Sequence, residues 1–210
     1  AIGITGAGTL TIGSSGIDMS SSSVNMTVAT PIALAASQAW NVNSGRTLTS
    51  SGVISGVSMT LTKSGAGTLT IQNAANTYTG GTIINSGQVT VDVQANAGLG
   101  TGTVTLNGGR LYLQRISNTN ALVINGGDLY SENGFGNNWG GPVTLNANLI
   151  ISGPNYARMT FGGSVSGAGG LTLNGPNPVW LGVANSYTGP TSVTGCTLQC
   201  NNKDALGSGV

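Results

Sequence analysis

The chain repeats itself at a distance of about 110 residues, and such self-similarity at a fixed distance indicates stacked copies of one structural unit. Residues 76–91, "NTYTGGTIINSGQVTV", align without a gap with residues 185–200, "NSYTGPTSVTGCTLQC", at an offset of 109. The alignment keeps Asn, Tyr, Thr, Gly and Thr in place. A second pair, "ISG" at Ile54 and "VSG" at Val165, is offset by 111.

A shorter repeat lies inside the long one. "TLNGGRLYL" from Thr105 and "VINGGDLYS" from Val123 are offset by 18, and "INSGQVTV" from Ile84 precedes the first by 22. A repeat of this length is typical of a solenoid, in which each coil stacks on its neighbour because it cannot bury its apolar face alone. We therefore predict an all-β fold, a parallel β-helix with coils of about 18–22 residues and about ten coils in total.

The repeated segment has the pattern strand, Asn-Gly turn, strand. Period-two spacing places Val104 and Leu106 on the same side as Leu111 and Leu113. An Asn-Gly turn between alternating strands is also typical of an antiparallel hairpin. The short repeat favours parallel coils with the turn as a corner, and this is the interpretation we adopt.

The long repeat defines the domain organisation. We predict one solenoid domain over residues 1–210, because all-β units of this length commonly stay undivided. Within it we place one copy at 31–141 and a second at 142–210, with the end of a preceding copy at 1–30. We expect the chain to be a segment of a longer protein or a processed subunit.

Composition excludes several classes of function. The chain has six Lys and Arg, five Asp and Glu, no His and a net charge of +1. A basic surface for nucleic acid is therefore not expected, and no apolar run approaches the length of a membrane helix. Without His, the commonest general base and a usual metal ligand are missing. We predict no catalytic residues, no metal site and no cofactor.

Two segments resemble a known family. Residues 64–91, "SGAGTLTIQNAANTYTGGTIINSGQVTV", and residues 31–56, "PIALAASQAWNVNSGRTLTSSGVISG", resemble the autotransporter-associated β-strand repeats of bacterial surface and secreted proteins. The resemblance is most specific over 31–113 and looser over 142–210. It implies a right-handed β-helical stalk or passenger outside a bacterial cell. The family supplies no catalytic residues to transfer.

The acidic residues are too dispersed to indicate an enzyme. A glycoside hydrolase needs two carboxylates across a cleft, and a β-helical lyase needs clustered acids for calcium. Distant acids could still meet in the stacked coils, so a polysaccharide-active enzyme is kept as an alternative. The five acids are Asp18, Asp92, Asp128, Glu132 and Asp204.

One Gly-rich loop concentrates aromatic and amide side chains. Aromatic faces beside hydrogen-bonding groups could form a sugar-binding platform, and Tyr156 and Arg158 could join it. The competing interpretation is that the rings only cover the edge of a coil. The candidate glycan-binding residues are Tyr130, Glu132, Phe135, Asn137, Asn138 and Trp139.

The two cysteines are separated by three residues and are expected in one strand, on one face. Their Cα atoms would be ~13 Å apart at ~3.3 Å per residue, whereas a disulfide tolerates less than ~7 Å. We expect two buried free thiols at Cys196 and Cys200, with Cys200 at the interior position that Val91 has in the first copy. A redox pair or a link to another chain is the alternative.

The coil period fixes which residues are neighbours. With successive coils in register, Leu111 lies above Leu129 in the interior. On the outside, four further residues form pairs, with Arg110 beside Asp128 and Tyr112 beside Tyr130. Asn107 and Asn125 stack at equivalent corners. Because charges are few, stability is expected to depend weakly on salt and pH.

The function predicted from these patterns is structural. We expect a non-catalytic extracellular solenoid that forms a stalk, an adhesin passenger or a filament. Its predicted partners are other copies of the chain or flanking segments of the same polypeptide, stacked head to tail through open strand edges. Surface glycans are a further partner, through the alternative of a carbohydrate-binding module at residues 130–139.

Overall fold

The computed structural model describes residues 1–93, 98–132 and 136–209. These residues form a parallel β-solenoid of about nine turns, spaced about 22 residues apart, and they include no helix. The predicted fold class is confirmed. Because the strands on both sides of the Asn-Gly turns pair in parallel with other coils, these turns are corners between sheets and not hairpins.

The described strands are all short. In chain order they are β1 (Ile2–Ile4), β2 (Leu10–Ile12), β3 (Ile17–Met19), β4 (Met26–Val28), β5 (Ile32–Leu34), β6 (Gln38–Val42), β7 (Thr47–Ser50), β8 (Ile54–Ser55), β9 (Leu61–Ser64), β10 (Thr68–Ile71), β11 (Thr82–Ile84), β12 (Gln88–Asp92), β13 (Val104–Leu106), β14 (Arg110–Gln114), β15 (Ser117–Asn118), β16 (Leu122–Ile124), β17 (Asp128–Glu132), β18 (Asn137–Trp139), β19 (Val143–Leu145), β20 (Leu149–Ser152), β21 (Met159–Phe161), β22 (Val165–Gly167), β23 (Leu171–Asn174), β24 (Val179–Leu181), β25 (Thr191–Thr194) and β26 (Leu198–Cys200).

The solenoid has three faces. The first is a ten-stranded sheet in the order β1-β4-β7-β10-β12-β14-β17-β20-β23-β25, and the second is an eight-stranded sheet in the order β22-β19-β16-β13-β11-β9-β6-β3. The third face holds a three-stranded sheet, β2-β5-β8, and a five-stranded sheet, β15-β18-β21-β24-β26. Between these two sheets the backbone continues the stack, with Thr77 N donating to Ile54 O and Thr101 N donating to Tyr78 O.

The coil length varies along the ten-stranded sheet. The shortest offset is 18, where Arg110 pairs with Asp128, and the longest is 24, where Ile2 pairs with Met26. The longest coil therefore exceeds the predicted range. Its extra length lies between β1 and β2, where Ile2 and Leu10 are eight residues apart, whereas their partners Met26 and Ile32 are six apart.

The core is a continuous apolar stack along the axis. Inward positions of the ten-stranded sheet hold Leu48, Leu69, Val89, Leu111 and Leu129 in successive coils, all fully buried. Burying a side chain of this size is worth about 1.5–3 kcal/mol relative to leaving it exposed. A slip of one residue would turn every one of these side chains outward, so burial specifies the register.

The predicted interior and exterior neighbours are confirmed. Arg110 Nε lies 2.8 Å from Asp128 Oδ2. The Tyr112 and Tyr130 rings stack with centroids 4.9 Å apart and an interplanar angle of 9°. Four predicted interior residues have fully buried side chains, namely Val104, Leu106, Leu111 and Leu113.

An asparagine ladder runs along one corner. Asn107 Nδ2 donates to Asn85 Oδ1 at 2.8 Å, Asn125 Nδ2 donates to Asn107 Oδ1 at 2.7 Å, and Asn146 Nδ2 donates to Asn125 Oδ1 at 2.8 Å. The predicted stacking of Asn107 and Asn125 is therefore one step of a longer series. Each amide both accepts and donates in the middle of the ladder, so the corners are aligned coil by coil.

Residues equivalent in the long repeat lie on different faces. Thr82 belongs to β11 of the eight-stranded sheet, whereas Thr191, its equivalent at the offset of 109, belongs to β25 of the ten-stranded sheet. Starting from Ile84, four successive strand pairings lead to Gly167, which is 83 residues further along the chain. Five coils of this average length are shorter than the offset of 109 residues. The second copy therefore starts one face further along. The boundaries at 31–141 and 142–210 stay a prediction.

Candidate functional site

The repeated Asn-Tyr-Thr motif forms a hydrogen-bonded clamp across three coils. Asn76 is buried, its Oδ1 accepts from Ile54 N at 2.7 Å, and its Nδ2 donates to Gly98 O at 2.7 Å. Ile54 lies in the preceding coil and Gly98 in the following one. The side-chain amide thus supplies the donor and acceptor that a paired backbone would supply in a regular strand.

The second copy reproduces the clamp. Asn185 Oδ1 accepts from Val165 N at 2.7 Å, and Asn185 Nδ2 donates to Ala205 O at 2.6 Å. Ile54 and Val165 are the two residues that the offset of 111 places in equivalent positions. The sequence repeat therefore preserves a three-coil contact, although the two clamps lie on different faces of the solenoid.

A buried tyrosine completes each clamp. The Tyr78 hydroxyl lies 2.6 Å from Thr82 Oγ1, and Thr82 Oγ1 donates to Leu99 O at 3.0 Å. Tyr187 and Thr191 make the same contact at 2.7 Å. Burial raises the pKa of the Tyr78 phenol, and the bond to Thr82 only partly opposes this shift. The group is a neutral, structural tyrosine at physiological pH.

Two of the predicted glycan-binding residues are in the core. Trp139 is fully buried and donates from Nε1 to Asn120 O at 2.9 Å. Asn137 is 1% exposed, accepts from Ile116 N and donates to Ser131 Oγ. Neither side chain presents a surface to a ligand, because both alternate inward in β18, so their assignment to a surface platform is corrected.

The remaining candidates lie on the surface or outside the described residues. Phe135 belongs to residues 133–135, which are not described. Asn138 is half-buried and its Nδ2 donates to Ser117 Oγ at 3.5 Å. Tyr130 and Glu132 are half-buried on the outer face of β17. Glycan binding by these residues stays a prediction.

One of the two residues considered as additions does join Tyr130 and Glu132. The Tyr156 hydroxyl donates to Glu132 Oε1 at 3.0 Å, and this bond raises the pKa of the Tyr156 phenol. Arg158 instead lies over the Trp180 ring, with Cζ 4.2 Å from the centroid. The sequence analysis did not include Tyr112 among the candidate binding residues. Its predicted stacking on Tyr130 was the observation that could have identified it.

The described residues hold no cluster of three or more His, Cys, Asp or Glu side chains that could bind a metal ion. Lys63 is the one charged side chain among the fully buried residues of the described core. Its Nζ donates to Ser64 O at 2.6 Å, to Gly65 O at 2.8 Å and to Ser86 O at 3.3 Å. Burial lowers its pKa to about 8. The ammonium ties two neighbouring corners together and points at backbone, not at a cleft.

The cysteines do not share a strand. Cys196 lies in the corner before β26 and is half-buried, and burial raises the pKa of its thiol. Cys200 is exposed in β26, and both thiols are free. The prediction of a buried Cys200 is wrong. The offset of 109 carries Val91 of the ten-stranded sheet to Cys200 of the five-stranded sheet, where no described strand covers β26.

One comparison with known proteins matched the two segments that contain the clamp asparagines. The family model described as passenger-associated-transport-repeat matches residues 61–91 and 165–199. Each match contains one complete Asn-Tyr-Thr motif, at 76–82 and at 185–191. Searches of curated proteins and of solved structures gave no significant match.

The matched segments bear on cellular location and type of function. A passenger-associated repeat suggests a non-enzymatic structural domain and implies a secreted or surface protein. No helix in the described part of the chain is long and apolar enough to cross a membrane. With two passenger-associated-transport repeats set in one continuous β-solenoid, the chain is consistent with the autotransporter passenger repeat family.

Proposed function

We propose that the chain is a non-catalytic structural segment of an extracellular passenger, a rigid spacer that forms a stalk or a filament by end-to-end stacking. The observation that carries the proposal is the uninterrupted ten-stranded parallel sheet with one apolar core beneath it. Such a stack forms an extended rod, because each coil contacts only the coils next to it.

The two terminal strands of this sheet support stacking. Ile2 in β1 is 53% exposed and Val193 in β25 is 46% exposed, whereas the inward column between them is partly buried at Met26 and buried from Leu48 to Leu173. Each terminal strand also offers one row of unpaired backbone groups, which readily pair with another strand. Neighbouring coils, from flanking segments of the same polypeptide or from another copy, would cover both ends in a heterologous contact that propagates.

Negative-stain microscopy and sedimentation of the purified chain test the proposal. We expect rods whose lengths are multiples of one unit, in a concentration-dependent distribution. Deleting residues 1–12 removes β1 and β2 and should abolish this association, and Ile2→Lys should weaken it by placing a charge at the edge.

The matched control is Thr27→Lys, which puts the same charge on the outer face of the same sheet one coil away. Association should survive this change. Undiminished association of the truncated chain, with its solenoid intact by circular dichroism, would refute stacking through this end. Hydrolysis of a polysaccharide by the purified chain would refute the non-catalytic assignment.

A further inference from the structure

The outer face of the ten-stranded sheet changes character in two adjacent coils. One outward column holds Thr27, Thr49, Thr70 and Thr90 in register. The next two coils put Tyr112 and Tyr130 in this column, and small Ser152 follows. The tyrosines therefore stand out from a surface that is otherwise lined by short hydroxyl side chains.

The two neighbouring columns bring charged side chains to the tyrosines. One column places Arg110 and Asp128 beside the tyrosines, with their ion pair at 2.8 Å. The column on the other side places Glu132 there, and its Oε1 accepts from the Tyr156 hydroxyl. Arg110 Cζ also lies 4.9 Å from the centroid of the Tyr130 ring. We call these six residues the tyrosine cluster: Arg110, Tyr112, Asp128, Tyr130, Glu132 and Tyr156.

An open groove adjoins the cluster. It has a volume of about 430 Å³ and runs past the Arg110–Asp128 pair to Ile150, Ser152 and Asn174 on the next two strands. Small-molecule sites commonly measure roughly 300–1,000 Å³ and combine apolar surface with a few placed polar groups. Ile150, 41% exposed, supplies the apolar part of this groove.

Packing alone gives little reason for the cluster. An exposed ion pair contributes about 0–1 kcal/mol to stability, and burial of the inward residues already specifies the register. Three of the eleven charged residues of the chain nevertheless lie within two adjacent strands, β14 and β17. Charged groups, phenols and a groove thus lie together at one place on a chain with few charges. This combination is typical of a recognition surface.

The chemistry of the cluster favours an uncharged, polyhydroxylated ligand. Its one guanidinium is already paired, and its two carboxylates make the cluster negative in sum, so sulfated or carboxylated chains are repelled. Phenol, guanidinium, carboxylate and amide groups supply both donors and acceptors for hydroxyl groups. The tyrosine rings and Ile150 supply apolar surface for the C–H faces of a sugar ring.

Other ligand classes fit this surface poorly. Nucleic acid requires several unpaired cations for its phosphates. A peptide that adds a strand requires a sheet edge, whereas β14 and β17 are central strands whose backbone groups are paired on both sides. We propose that the tyrosine cluster and its groove form a binding site for neutral glycans on the side of the solenoid. This inference goes beyond the structural role and does not depend on end-to-end association.

Nuclear magnetic resonance titration of the chain tests the site directly. The probes are cellohexaose, chitohexaose, xylohexaose and maltohexaose, with a heparin hexasaccharide and sialyllactose as charged comparisons. We expect at least one neutral probe to shift amide resonances of β14, β17 and β20 in a saturable way at millimolar concentration. The charged probes should leave these resonances in place.

One double variant and one control variant test whether the tyrosine cluster binds the ligand. Arg110→Ala with Asp128→Ala should lower the affinity about tenfold or more, because hydrogen bonds to charged groups are lost. The control Thr49→Val changes the same outward column far from the cluster and should leave the affinity unchanged. Thermal unfolding of each variant confirms that the solenoid is retained.

Three results would overturn the proposal. They are the absence of saturable shifts with every neutral probe, binding of the charged probes alone, and neutral binding that the double variant leaves intact. Tyr112→Phe with Tyr130→Phe separates recognition from packing, since it keeps the ring stack and removes both hydroxyls. A weaker affinity of this variant at an unchanged melting temperature supports a recognition role.

Discussion

Asn76 shows how one side chain can replace a missing strand pair. The chain between β10 and β11 is described throughout and forms no strand, so at this point the third face has no regular ladder. The amide of Asn76 instead bonds to the backbone of the coils on both sides. An amide carries the same donor and acceptor as a peptide group, which explains why an asparagine occurs at the equivalent place, Asn185.

The first prediction concerns these clamps. Asn76→Ala leaves Ile54 N and Gly98 O buried without partners, which should lower the free energy of unfolding by roughly 2–4 kcal/mol. Asn185 makes equivalent bonds but is only half-buried, so Asn185→Ala should cost roughly 1–2 kcal/mol. Urea unfolding followed by circular dichroism measures both.

Asn146→Ala is the matched control for the clamps. Asn146 is exposed at the end of the corner ladder and makes one side-chain bond, to Asn125. Its loss should cost less than about 0.5 kcal/mol. Equal losses for Asn76→Ala and Asn146→Ala would contradict the proposal that the clamp bonds, and not asparagines in general, hold the coils together.

The second prediction concerns Lys63 and alkaline pH. Its pKa is about 8 in the folded chain and near the ordinary 10.5 when unfolded, so between these values the unfolded chain binds more protons. The free energy of unfolding should therefore rise from pH 8 towards pH 10. Above the ordinary phenol pKa of 10.0, the buried Tyr78 acts in the opposite direction, because unfolding lets it ionise.

Lys63→Met provides the control, since Met has a similar length and no charge. Its stability should not rise between pH 8 and pH 10, as followed by urea unfolding at each pH. A rise of equal size in the Met variant would show that another group is responsible. Between pH 7 and pH 4 the stability of both chains should change little, because the chain has only five Asp and Glu residues and exposed ion pairs contribute only about 0–1 kcal/mol.

At the scale of the element, the corners restrict which amino acids can occur more strongly than the strands do. Gly109 has a φ of +72°, and a Cβ on it would lie 2.4 Å from Gly87 O in the coil below. The stacking of successive corners brings the backbones together, so a side chain at this position is excluded by two separate effects. One effect is the left-handed conformation and the other is the contact.

The third prediction separates these effects with a matched pair. Gly45 has a φ of +69° and nothing within 4 Å of the place that a methyl group would take, so Gly45→Ala should cost only the conformational energy, about 1–2 kcal/mol. Gly109→Ala adds the backbone clash and should cost at least about twice as much. Thermal unfolding measures the difference. Equal costs would show that the corner can widen without strain.

The elements that could be predicted from the sequence are those that repeat locally. The pairs Arg110–Asp128 and Tyr112–Tyr130 follow from one offset of 18, because identical corners must stack in register. The inward position of Trp139 could not be predicted, because β18 belongs to a segment without a sequence repeat. A shift of one residue along a strand turns a side chain from the outer face to the core. Cys200 keeps the inward register of buried Leu181, and its exposure was missed because the repeat does not show that no described strand covers β26.

At the scale of the whole molecule, the solenoid is a one-dimensional stack. Each coil is stabilised by its own bonds and by contact with the coils above and below it, so a residue's contribution depends on how many covered neighbours it has. The same inward column of the ten-stranded sheet contains Val89 in the middle and Val193 in its last strand. Val89 is fully buried, and Val193 is 46% exposed.

The last prediction compares one substitution at these two places. Val89→Ala opens a cavity between two covered coils and should lower the free energy of unfolding by roughly 2 kcal/mol. Val193→Ala removes methyl groups that solvent already contacts and should cost less than about 0.5 kcal/mol in the isolated chain. Urea unfolding gives both values, and hydrogen exchange should show β25 and β26 opening well before β12. Under conditions of end-to-end association the cost at Val193 should rise towards that at Val89, because a neighbouring coil then covers it. Equal costs in the isolated chain would mean that the terminal coil is already covered, and an unchanged cost at Val193 on association would mean that copies join elsewhere.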